Sequence, residues 1–167
     1  MAIWILSLMH LLVPHAPYTD TFPTTAVAIE KVAHEDPLYE GDDGVARTVT
    51  ELLSLSFHES RFDPRAVDKT KQSFGLTQID ASNLASLGLT DIEQLYDPET
   101  NLRAALKLMR ISHRLCRRHP IEDALANYAS GGGTCNVPQG LDASRRRMRF
   151  AAALLKKHPP WWVDVTP

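Results

Sequence analysis

Apolar positions recur at helical spacing through most of the chain, and proline, glycine and acid-rich turns mark the breaks between the runs. Ile3 to Val13 is an almost unbroken apolar stretch. Thr21-Phe22-Pro23-Thr24-Thr25 predicts a helix start; Ala26, Val27, Ile29 and Val32 suit a short amphipathic helix, and Pro37 stops it. The turn from Tyr39 to Gly44 leads into Val45 to Phe57, where Val45, Val49, Leu52, Leu53 and Leu55 crowd several faces. A helix apolar on so many sides is predicted to be central and buried. Its end carries His58, Glu59, Ser60 and Arg61. Phe62-Asp63-Pro64 then forces the chain out of helix, because the residue before a proline disfavours the α region.

Asp68 to Ser73 is polar and turn-like, and Phe74 to Ile79 predicts a short strand or an extended segment. Asn83 to Leu87 is weakly helical and Gly88 ends it. Asp97-Pro98-Glu99-Thr100 combines a capping acid with proline at the first helical position, a strong helix start. From Asn101 to Arg118, Leu102, Ala105, Leu106, Met109 and Leu115 fall on one stripe, an amphipathic helix of about five turns. A further helix is predicted from near Pro120, carrying Ala124, Leu125 and Tyr128 up to the break at Ser130-Gly131-Gly132-Gly133. Leu141 to Lys157 is the last helix, and His158 to Trp162 begins a tail. The fold class expected is mainly α with at most a small β element, organised as an apolar segment (1–20), one helical domain (21–160) and a tail (161–167).

A chain of 167 residues with 44% apolar residues fits one compact domain and leaves little room for a second. The formal net charge of −2 offers no basic character, so nucleic acid is not an expected partner. Arg110, Arg114, Arg117, Arg118 and Arg145 to Arg147 cluster late in the chain, as a solvated helix face or a face that attracts an anionic polymer. Cys116 and Cys135 leave two states open, a disulfide closing a loop of about 20 residues or two free thiols, and have no metal-ligand spacing. Ile3 to Val13 is too short to span a membrane; it suits a packed first helix, a weak signal peptide or an anchor.

Four segments carry a resemblance. Glu59-Ser60-Arg61-Phe62-Asp63-Pro64-Arg65-Ala66, Gly75-Leu76-Thr77-Gln78, Asp97-Pro98-Glu99-Thr100-Asn101-Leu102-Arg103-Ala104 and Ala124-Leu125-Ala126-Asn127-Tyr128-Ala129-Ser130-Gly131 stand in the order and at the spacing of one family's motifs. The sequence resembles the catalytic domain of soluble lytic transglycosylases, glycoside hydrolase family 23, in the lysozyme superfamily that includes goose-type lysozymes. The resemblance covers residues of about 45 to 135. It implies a lysozyme-like helical domain acting on peptidoglycan glycan strands, with no cofactor and no metal. It also implies work outside the cytoplasm, in periplasm, envelope or medium, reached by export or phage delivery. An envelope or virion assembly partner could then hold the N-terminal segment. Two positions depart from the pattern: Thr77 stands where the family has Met, and Ala129 replaces an Asn that helps bind sugar.

By resemblance Glu59 is the catalytic acid. Breaking a glycosidic bond needs a proton delivered to the leaving oxygen. A carboxylic acid supplies it near neutral pH when burial lifts its pKa toward ~6, and Leu52, Leu53 and Phe57 on the same helix offer that setting. A surface glutamate paired with Arg61 is the structural alternative. Tyr128 is expected to donate its hydroxyl to the reacting region, Ser60 to the sugar or to Glu59, and Gln78 to hold an amide in the cleft, unless they fill the core or cap loops. Asn127 is the candidate to stand in for the Asn missing at Ala129. Hen-type lysozymes carry a second carboxylate at the position of Ser73, which makes Ser73 an expected substrate contact and favours a one-carboxylate mechanism. Asp68 and Asp80, nearby in sequence, are the water-positioning groups of a hydrolytic alternative. His58 is assigned to structure, since adjacent helix residues project about 100° apart.

Overall fold

The computed structural model describes residues 1–132 and 134–157. Among them run seven α-helices and one two-stranded sheet: α1 (Ala2–Leu12), α2 (Phe22–Glu35), α3 (Gly44–Ser60), β1 (Ser73–Phe74), β2 (Ile79–Asp80), α4 (Leu84–Leu87), α5 (Pro98–Leu115), α6 (Ala126–Ala129) and α7 (Pro138–Leu155). The expected mainly helical, lysozyme-like domain with a small β element is what the chain adopts. The expected tail from His158 to Trp162, and Gly133 of the glycine run, lie outside the described residues.

Helix α3 is the centre of the molecule, with every residue from Thr48 to Ser56 buried and α2 and α7 packed against it. Three of its buried polar side chains bond backbone: Thr48 and Thr50 donate to Gly44 and Ala46 one turn back, and Ser54 donates to Arg147 O of α7 at 2.8 Å. Helix α2 lies between α1 and α5. Ile5, Leu8 and Met9 of α1 are buried, and the Ala2 amide donates to Glu30 of α2. No helix among the described residues is long and apolar enough to cross a membrane.

The expected stripe on α5 holds to Met109 and then turns away. Ser112 and Cys116 are buried while Leu115 is exposed, and the helix ends at Leu115 instead of running to Arg118. Val27, expected on the buried face of α2, is also exposed. The helix expected from Pro120 is broken into a 3₁₀ turn at Ile121–Asp123 and the single turn α6. Two buried serines hold this segment between its neighbours. Ser112 of α5 donates to Ala124 O and accepts from the Tyr128 amide, while Ser144 of α7 accepts from the Leu125 amide and donates to Glu122 O. Helix α7 starts at Pro138, before the expected Leu141, because proline suits the first helical position. Gly140 lets it approach α6, since a Cβ there would lie 2.6 Å from Ala126 O.

Cys116 and Cys135 form a disulfide across 19 residues, which closes the two states left open by the sequence in favour of the bridge. The bond ties the end of α5 to the loop between α6 and α7. Replacing both cysteines with serine is expected to lower stability by about 3 kcal/mol. Urea unfolding of the variant beside the oxidised protein checks this, and equal midpoints would count against a stabilising bridge.

Candidate active site

Helix α3 ends in an αL cap at Arg61 (φ 58°), and Phe62 also takes a positive φ of 69°. Positive φ is strained for a bulky side chain. Here it seats the Phe62 ring in the core against Phe22 and Phe57, at centroid distances of 6.0 and 5.9 Å. Beyond the anchored ring, Ala66 to Lys69 border the same open space as Glu59 in the last turn of α3. Arg61 does not pair with Glu59; its guanidinium lies 4.2 Å over the Phe57 ring. His58 is structural, its Nδ1 2.7 Å from Ser54 O and its ring against Phe57 and Phe150.

The second wall is a hairpin. β1 and β2 pair antiparallel with Ser73 opposite Asp80 and Phe74 opposite Ile79, so the expected strand Phe74 to Ile79 is really two residues on each side of the turn Gly75-Leu76-Thr77-Gln78. Buried Asn101, at the start of α5, organises that turn. Its amide nitrogen donates to Phe74 O and Leu95 O, and its oxygen accepts from the Thr77 amide and hydroxyl at 2.9 and 2.6 Å. The hydroxyl of Thr77, where the family has Met, is therefore spent on Asn101. Gly75 sits at φ 78° with Leu95 O 2.2 Å from where a Cβ would be, so no larger residue fits.

The turn is tied to both neighbours by groups expected to face substrate. Ser60 Oγ donates to Leu76 O at 2.7 Å, Tyr128 Oη to Thr77 O at 3.0 Å, and Gln78 Nε2 to Ala66 O and Gly75 O at 3.1 and 2.9 Å. The protons of Ser60 and Tyr128 are thus engaged within the protein, which leaves their oxygens the capacity to accept. Burial, then the Glu59 charge, raises the Tyr128 pKa and keeps its hydroxyl protonated.

These walls enclose a cleft of about 900 Å³ lined by Glu59, Ser60, Ser73, Gln78, Asn127 and Tyr128, so all six expected site residues meet in one place. Asp68 and Asp80 also line it. Asp68 is committed to its own loop: one oxygen accepts from the Gln72 and Ser73 amides, the other from the Thr70 amide and hydroxyl. Those bonds, the Thr70 hydroxyl foremost, hold its carboxyl well below the usual range. Asp80 caps the next 3₁₀ turn through the Ser82 amide at 2.8 Å. Among the described residues no group of three or more His, Cys, Asp or Glu side chains is arranged to hold a metal ion.

At the floor lies a residue that the sequence left on a basic face. Arg147 of α7 is only 8% exposed and its Nη2 forms an ion pair with Glu59 Oε1. The Glu59 side chain keeps 21% of its surface open. Burial raises the Glu59 pKa and Arg147 opposes the rise. The expected basic face is further reduced by pairing: Arg110 is bound to Asp36 and Arg145 is held bidentate by Asp123. The spacing of α7 carries the missed signal, because Arg147 is in phase with buried Gly140, Ser144, Ala151 and Leu154.

The family model described as the transglycosylase SLT domain matches residues 45–149. The chain belongs to the transglycosylase SLT family. The match runs from the start of α3 into α7, beyond the segments the motifs had covered, and takes in Arg147 with the rest of the cleft. No curated protein and no solved structure matches the chain. SLT domains act on peptidoglycan, which implies peptidoglycan as the substrate and a place of work in the periplasm or envelope.

Proposed function

We propose that this SLT domain is a lytic transglycosylase that cuts the β-1,4 bond between N-acetylmuramic acid and N-acetylglucosamine with Glu59 as its single catalytic carboxylate. The observation that carries this reading is the contrast among the cleft acids. Glu59 is sunk at the floor with its proton affinity raised by burial, whereas Asp68 is clamped as an anion by its own loop. A group of the first kind can deliver a proton; one of the second is a weak base.

In the first step Glu59 gives its proton to the glycosidic oxygen as the bond from the muramoyl C1 breaks, and the neighbouring acetamido group assists the developing positive centre. In the second, the Glu59 carboxylate takes the proton of the muramoyl 6-hydroxyl as that oxygen bonds to C1 and closes a 1,6-anhydro ring. No water is consumed, and Glu59 ends protonated as it began. Ser60, Ser73, Gln78, Asn127 and Tyr128 line the path of the strand and are assigned to holding it. The disulfide is consistent with work in an oxidising compartment outside the cytoplasm.

Mass spectrometry of products released from purified cell walls tests the reaction. Anhydro-muropeptides, lighter by one water than reducing-end products, are expected. Reducing-end products would instead make the domain a hydrolytic muramidase, with Asp80 the open carboxylate on the cleft. Wall binding without any release would make it a structural component.

A further inference from the structure

One buried charge plays no part in the reaction as described. Glu51 lies two turns before Glu59 on α3, is 2% exposed, and borders a separate cavity of about 220 Å³ beside Tyr39 and Arg47. Its Oε1 has no hydrogen-bond partner, and neither has Nη1 of Arg147, the second terminal nitrogen of the guanidinium that holds Glu59. The two unsatisfied atoms belong to groups of opposite charge, and Arg147 packs about one turn from Glu51, its carbonyl accepting from Ser54 at 2.8 Å.

We propose that Glu51, Arg147 and Glu59 form one unit holding a single proton, in which Arg147 is a positioning residue that exchanges Glu59 for Glu51 as its partner when Glu59 is protonated. The inference rests on reading Glu59 as the acid. Two carboxyls and one guanidinium away from water are least costly at zero net charge, which means one carboxylate, one carboxylic acid and the cation. With the proton on Glu51, Arg147 pairs with Glu59, as in this structure. With the proton on Glu59, reached from the open cleft, Arg147 pairs with Glu51 and Glu59 Oε1 is released. A one-carboxylate mechanism needs both arrangements in turn: an acid free of its cation for the first step, and a carboxylate stabilised by it afterwards.

Burial pushes Glu51 up to about 7 while Arg147 and then Arg47 pull it down, and Arg147 also pulls on Glu59. The groups around Glu51 are Tyr39 ahead of α3, Arg47 on α3 and Arg147 on α7, with Glu122 and Arg149 at the rim of the adjoining cavity. Glu59 faces Arg147 and Tyr128, with Arg61, Asp68, Lys69 and Asp80 along the cleft. Burial keeps both tyrosines neutral, and of the cations among the described residues only Arg147 acts on both glutamates.

The test is the pH profile of kcat/KM for muropeptide release. Glu59 must be protonated to act, so activity falls as pH rises through its pKa, and anything that lowers that pKa moves the alkaline limb to lower pH. Glu51→Gln leaves Arg147 wholly to Glu59, and the limb is expected to shift down by roughly one unit. Arg147→Met removes the cation, so the limb shifts up and kcat falls roughly 100-fold with KM little changed; Arg147→Lys recovers part of kcat. An unmoved limb in Glu51→Gln, or a loss there equal at every pH, overturns the proposal, as does an undiminished kcat in Arg147→Met. If Arg147→Met fails to fold, the Glu51→Gln profile and Arg147→Lys decide. Carbon-13 titration of the glutamate carboxyls, with Glu59 assigned, separates this proposal from the proposed function. A Glu59 pKa lowered by Glu51→Gln in a protein that cuts no wall keeps the unit and removes the reaction; an unchanged one rejects the unit whatever the activity.

Discussion

Glu59→Gln is expected to abolish release of muropeptides from cell walls, a loss on the order of 10²–10⁴-fold or more, since general acid catalysis alone contributes that much. Glutamine keeps the shape of the side chain but can neither give up nor take back the proton, so both steps stop. Arg147 loses a charged partner in the same substitution, and stability is expected to fall by about 1–3 kcal/mol without loss of the fold. Turbidity clearing of purified walls, with circular dichroism and thermal melting of the same sample, checks both parts. A folded variant that still clears walls within tenfold of the parent would remove Glu59 from the mechanism.

The second large effect is expected far from the acid. Asn101→Ala deletes the four bonds by which Asn101 holds the Gly75-Leu76-Thr77-Gln78 turn, those to Phe74 O, Leu95 O and the Thr77 amide and hydroxyl. At about 1–3 kcal/mol for each unsatisfied group, and with relaxation recovering part, a loss of roughly 3–5 kcal/mol is expected. Activity should fall with it, because the carbonyls of Leu76 and Thr77 that hold Ser60 and Tyr128 belong to this turn. Thr77→Val, which removes only the hydroxyl bond, is expected to cost about 1 kcal/mol. Denaturant unfolding of the two variants gives the comparison, and similar losses would show that Asn101 does not organise the turn.

The legible parts of this molecule are those where local pattern and final environment agree. The buried helix α3 announces itself by apolar residues on every side, and α5 by Asp97 and Pro98 at its start. Residues of the cleft could be gathered from the chain because the family's segments carry them at fixed spacing. What stayed hidden depends on which helix packs where. Leu115 and Val27 fit a helical stripe but lie past the reach of their neighbours, and Leu115 ends exposed on the cleft. Arg147 looked like one of three consecutive arginines on a wet face, although its phase with Ser144 and Ala151 points it inward. The carbonyls that take the Ser60 and Tyr128 protons are ones that only the hairpin turn brings near. Glu51 could not be told from a surface glutamate until α7 covered it.

The bond between Ser54 and Arg147 spans 93 positions and the ion pair from Arg147 to Glu59 spans 88. Such distant partners meet late, since the entropy of closing the intervening chain has to be overcome first. On the ribosome α3 is made well before α7, so the burial that raises the Glu59 pKa is completed only when α7 packs against α3. The raised proton affinity that would make it a cutting group is conferred by closure of the fold.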